Sequence, residues 1–179
     1  MRHTRMLCVL FLIPLIAFAE IEKVGQVCET GICLAWWPKL VPAKGWHHEP
    51  RWSFANGINI QVPDGFTFSN AETVIYAKAA YKPRIPETTS LEMFIQSDKD
   101  DFLKRDPGIL IVEVTPLKTA DGKTLRSFTF FPKSKGNWEQ VSYGEEGDFY
   151  LIFTISSRSR TGFLDSFEIY EQYINHYKE

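Results

Sequence analysis

The chain of 179 residues carries 20 Lys and Arg against 22 Asp and Glu, a formal net charge of −2. No basic stripe emerges to meet a phosphate backbone, so nucleic acid is not an expected partner. Hydrophobic residues make up 44% and aromatic residues 15%, which argues against disorder and supplies one domain with a sizeable core.

Residues 1–19 have the layout of a secretory signal peptide: basic Arg2 and Arg5, an apolar run from Leu7 to Ile16, then Ala17-Phe18-Ala19 with small residues where a signal peptidase reads. A bilayer span needs roughly 20 apolar residues and this run is about half that. Cleavage after Ala19 would leave a chain beginning at Glu20, periplasmic or secreted. No later apolar run reaches spanning length, so no transmembrane segment is expected once the leader is removed. Cys8 would leave with the leader, and Cys28 and Cys33 remain as a pair. Exported proteins meet oxidising conditions, so the pair reads as a disulfide. A redox dithiol usually has two residues between its cysteines, not four, and no second pair completes a zinc site. So short a loop stabilises by only ~2 kcal/mol.

Residues 20–51 lack periodicity and read as an irregular, disulfide-clipped, Trp-rich arm laid over the domain. Trp36, Trp37 and Trp46 have two readings: plugs for gaps in the adjoining core, or a partner-binding surface. His47, His48 and Glu49 are weak metal candidates, because adjacent residues of an extended chain point apart and no His-Glu-x-x-His helix pattern is present. No metal and no cofactor are expected.

From residue 52 to 179 the pattern is regular. Ile58, Ile60 and Val62 alternate with polar residues, and Pro63-Asp64-Gly65 turns the chain toward Phe66 and Phe68, predicting a short hairpin. Residues 73–81 form a further strand. Thr89-Ser90-Leu91-Glu92 fits a capping box that opens a helix with Thr89 as cap. Leu91, Phe94, Ile95, Phe102 and Leu103 supply its apolar stripe, while Asp98-Lys99-Asp100-Asp101 reads as a solvated face. Hairpins follow around Asp121-Gly122 and around 144–147, where Glu145 and Glu146 read as solvated turn residues. The strand from Phe149 is apolar on both faces, which predicts a central position with helices on both sides. Phe163, Phe167, Tyr170, Ile174 and Tyr177 recur at helical spacing and predict a closing amphipathic helix.

The link into that helix is polar. Ser157, Arg158, Ser159, Arg160 and Thr161, within 156–162, place hydroxyls and guanidiniums beside free helix amides, a candidate anion-binding site. The competing reading is a capped connection in which Ser159 or Thr161 serves the helix alone. Nucleophilic catalysis finds no Gly-x-Ser-x-Gly motif, and a carboxylate-pair hydrolase ranks last.

This order of elements predicts an α+β domain with an antiparallel sheet flanked by helices, an α/β/α sandwich. Ile60-Gln61-Val62-Pro63-Asp64-Gly65-Phe66, and residues 149–157 followed by 163–173, resemble the PsbP-like and DcrB-like family over about residues 52–177. The resemblance implies a protein that docks on larger assemblies, chaperones another protein or assists at a membrane, with no catalytic residues. The expectation is an exported, non-enzymatic accessory or protein-binding factor of the cell envelope, of inhibitor, immunity or assembly type, with a protein partner there. The alternative is a small-ligand or anion binder using 156–162.

Overall fold

The computed structural model describes residues 21–29 and 31–178, so the expected leader, with Cys8 and the new terminus at Glu20, lies outside the described residues. Nine strands form one sheet whose paired neighbours run antiparallel. β1 (Ile21–Cys28) and β2 (Gly31–Pro38) make a hairpin closed by the Cys28–Cys33 disulfide. β3 (Trp46–His48), α1 (Pro50–Asn56) and β4 (Asn59–Pro63) follow. β5 (Thr73–Tyr81) leads through a 3-10 turn at Lys82–Arg84 to α2 (Leu91–Arg105). The hairpins β6 (Leu110–Lys118) with β7 (Thr124–Phe131) and β8 (Trp138–Glu146) with β9 (Phe149–Ser157) precede α3 (Arg160–His176).

The main path across the sheet is β1-β2-β5-β9-β8-β7-β6. β9 is central, as its two apolar faces predict. β4 occupies the middle of the free side of β5, from Ile75 to Ala77, and β2 meets β5 in one register pair, Trp36 with Ala79. The β1–β2 hairpin is therefore held to the sheet at one register pair.

The expected α/β/α sandwich is not what forms. Strand accounts for 43% of the structure, against three helices. One physical reason is coverage. A path of seven strands spaced about 4.8 Å apart is roughly three helix diameters across, yet each face carries one long helix. α3 packs Phe163, Tyr170 and Ile174 against Leu151, Phe153 and Ile155 of β9. α2 packs Ile95 against Val141 and Tyr143 of β8 on the opposite face. The second reason is that the expected irregular arm is largely strand: it contributes β1, β2 and β3 to the same sheet. Its alternation is hidden because Trp36 and Trp37, consecutive and both apolar, find cover on opposite sides of β2.

Smaller corrections have equally local causes. Residues 66–68 do not pair as a strand; Asn70 Oδ1 accepts from Thr67 N at 2.7 Å and folds them into a turn, while β4 pairs with β3 and β5 instead. Ser90, not Thr89, caps α2, accepting from Met93 N at 3.2 Å, and Glu92 reaches Arg126. β8 continues through Glu146, and Gly147 (φ +49°) turns the chain. Glu146 is consequently buried, accepting from Tyr177 Oη at 2.5 Å.

Candidate functional site

The three tryptophans do not converge on one surface. Trp37 is buried with Val24 and Ala35, its indole N–H donating to Glu22 Oε2 at 3.1 Å. Trp36 is half-buried, 5.0 Å from the Tyr81 ring, with the Arg84 guanidinium 4.4 Å from its centroid. Trp46 meets Tyr173 edge-on at 6.4 Å. The metal candidates also diverge. His47 lies 3.3 Å from Asp64, His48 3.0 Å from Ser53 Oγ, and Glu49 caps α1 by accepting from Trp52 N. Burial holds His48 below the usual imidazole range. Among the described residues no three metal-ligating side chains cluster.

In the 156–162 loop the polar groups meet protein partners. Ser159 Oγ accepts from Gly162 N at 3.0 Å, the α3 cap. Ser157 Oγ accepts from Thr73 Oγ1 at 2.8 Å, and Arg158 donates to Ser69 O at 2.6 Å. Arg160 stands 5.8 Å from the Trp138 ring, and Thr161 is exposed in the first helical turn. Gly162 leaves no space at this corner: a Cβ there would lie 2.6 Å from Ser157 Oγ and 2.9 Å from Thr73 Oγ1.

The disulfide-bearing end of the β1–β2 hairpin presents a different kind of surface. Ile32 is 82% and Leu34 41% exposed. Both fall on the side of β2 that carries Trp36, by the two-residue period of a strand. Arg84 donates to Leu34 O at 2.7 Å, bracing the strand from the 3-10 turn.

The most chemically charged recess lies on the α2 face, and the sequence reading missed it. Beyond Tyr143 the sheet outruns the helix, leaving a trough of about 200 Å³ lined by Tyr76, Lys78, Asp98, Arg105 and Glu139. An adjoining recess of about 350 Å³ shares Phe102, Arg105 and Glu139. Asp98, Phe102 and Arg105 stand at i, i+4 and i+7, one stripe of α2; Tyr76 and Lys78 alternate on β5, and Glu139 and Val141 on β8. Asp98, expected on a solvated face, is half-buried and accepts from Tyr143 Oη at 2.5 Å. Glu139 accepts from Ser156 Oγ at 2.5 Å, and that hydroxyl accepts from Asn137 Nδ2 at 2.9 Å.

Burial pushes the Asp98 and Glu139 carboxyls above the ordinary carboxylate range, against the opposing pull of those hydroxyl donors and of Arg105. Burial also raises Tyr76 and Tyr143, keeping both phenols neutral. No activated hydroxyl nucleophile results, and the described histidines lie elsewhere. The arrangement is suited to holding charge. A signal for it was present in the polar residues at inward positions of β5, β8 and β9, but periodicity does not say which part of a face a helix leaves bare.

Compared with models of known protein families and with curated proteins, the chain has no match. No helix among the described residues is long and apolar enough to cross a membrane.

Proposed function

We propose that the chain is an exported, non-enzymatic accessory factor of the cell envelope that acts by binding another protein, as an inhibitor or an assembly factor. The observation that supports this reading is the disulfide-clamped hairpin end, where Ile32 and Leu34 stand in solvent on the same side as Trp36. Isolated exposed apolar residues are ordinary, but neighbouring ones on a covalently tied hairpin offer a contact patch with little left to order on binding. Tryptophan and arginine are enriched among the residues that dominate interfaces, and Trp36 with Arg84 sits at the base of the patch. The resemblance of residues 60–66, 149–157 and 163–173 to PsbP-like proteins, which dock on larger assemblies, chaperone another protein or assist at a membrane, implies a role of the same kind. The rival anion-binding reading of 156–162 loses support, because Ser157, Arg158 and Ser159 are engaged within the protein.

The test is affinity capture from the envelope fraction of native cells, with the wild-type chain and an Ile32→Asp/Leu34→Asp variant. Both side chains are exposed, so the variant should unfold at the wild-type temperature. Wild type should retain a stoichiometric protein that the variant releases. Absence of any such protein, or equal retention by both forms, overturns the reading.

A further inference from the structure

We infer that the trough between α2 and β5 binds a small zwitterion, a free α-amino acid with an apolar side chain, its ammonium group meeting Asp98 and Glu139 and its carboxylate meeting Lys78 and Arg105. This stands apart from the proposed protein contact and does not rest on it. Hydrogen-bonding capacity is left over in the trough. An ionised carboxylate offers about four lone-pair sites; Asp98 receives one hydroxyl donor, and Glu139 receives one hydroxyl with the Asn137 amide beside it. Among the described residues neither Lys78 nor Arg105 lies within 4.0 Å of a carboxylate as an ion pair. Arg105 gives Nε to Asp101 O at 3.3 Å, which leaves the outer guanidinium nitrogens for other work.

The second argument is charge balance. A phosphate or dicarboxylate would meet Lys78 and Arg105 but be repelled by two half-buried carboxyls. A polyamine would meet the reverse. A divalent cation needs more ligands than the trough supplies, and no group of three metal-ligating side chains exists among the described residues. A ligand with one charge of each sign, close together, satisfies both pairs without leaving a net charge in the recess. The third argument is the wall. Ile58, Phe102, Val141 and Ile152 line the same space, and Phe102 continues into the larger recess. Small-molecule sites are largely apolar, with a few placed polar groups, and occupy about 300–1,000 Å³; the two joined recesses reach that scale. Fourth, burying carboxyls with part of their hydrogen-bonding capacity unmet costs stability, a cost that a ligand ammonium group removes.

The probes are L-phenylalanine and L-leucine, with phenethylamine lacking the carboxylate and 3-phenylpropionate lacking the amine, measured by titration calorimetry and thermal shift on the chain lacking residues 1–19. At least one amino acid should bind saturably and raise the unfolding temperature, with the amine and the acid at least about tenfold weaker. Glu139→Gln, which can still accept from Ser156, and Arg105→Ala, at an exposed position, should each weaken amino-acid binding by about tenfold or more. The inference is overturned by no saturable binding at about 10 mM ligand, by the amine or acid alone binding as well as the zwitterion, or by either variant binding like wild type.

Discussion

The two faces of the sheet each receive one helix, yet over the central strand β9 one face is closed and the other open. Beneath α3 the hydroxyls of Tyr170, Tyr173 and Tyr177 end on protein. Tyr170 Oη donates to Ser142 Oγ at 2.8 Å and lies 2.9 Å from Phe153 O. Tyr173 reaches Gln61 Oε1 at 3.3 Å, and Tyr177 reaches Glu146. Burial pushes the Tyr173 phenol up to about 12. Long aromatic side chains extend the reach of this helix, so α3 seals the centre of its face and leaves a recess of about 240 Å³ beside its first turn, between Phe131, Trp138, Phe163 and Leu164. α2 carries shorter reach. Ile95, Phe128, Phe130 and Tyr143 form a local core beneath it, and toward β5 charged groups enter an otherwise apolar wall. Coverage depends on side-chain length as much as on helix number.

The largest effect should separate the faces directly. Phe153→Ala, in the α3 core at 1% exposure, should cost ~3–5 kcal/mol in urea unfolding. Ile152→Ala, half-buried on the α2 face, should cost less than about 2 kcal/mol. Equal losses would mean that the open face is as tightly packed as the closed one.

Next is the hairpin. Replacing Cys28 and Cys33 by serine removes at most ~2 kcal/mol on the chain-entropy account. Because only Trp36 and Ala79 pair β2 with β5, the loss should stay local. Amide exchange should accelerate through β1 and β2 while β8 and β9 keep their protection. A fall of the global midpoint by the full amount would show that the hairpin unfolds with the rest.

The smallest effect is in pH. Asp98 and Glu139 bind protons more tightly folded than unfolded, so they contribute a stability that is present at low pH. It declines as pH rises from the ordinary values of 3.8 for Asp98 and 4.5 for Glu139 through the raised folded values, then levels off. Asp98→Asn/Glu139→Gln should remove that decline. The difference in unfolding free energy between wild type and variant should therefore change across this interval and stay constant above it. A difference independent of pH would place both carboxyls in ordinary solvent.

Much of the closed face was legible from sequence. The period of Phe163, Tyr170 and Ile174 marks α3, the apolar run from Phe149 marks β9 as central, and Ser159 was among the weighed caps. Strong patterns survive because burial on one side leaves a regular trace. Less of the open face and the hairpin was legible. β1 alternates weakly, since Glu22, Lys23 and Gln26 occupy a strand with an outer edge. Thr89 and Ser90 are adjacent hydroxyls, and only backbone geometry chooses the cap. Asp98 looked solvated because its neighbours Asp100 and Asp101 are exposed, while its own angle on α2 aims it at Tyr143. Nothing in local spacing reports that the sheet is too wide for its helix.

At the far border of the sheet, β6 has no strand paired to its outer side among the described residues. Its ladder with β7 slips between Val114 and Leu117, around Pro116. Proline removes a donor and the slip twists the strand away from a straight template. A foreign chain laying itself along this rim would find only the few residues from Leu110 to Val114 in regular order. The slip thus shortens the straight template that this rim offers to another strand.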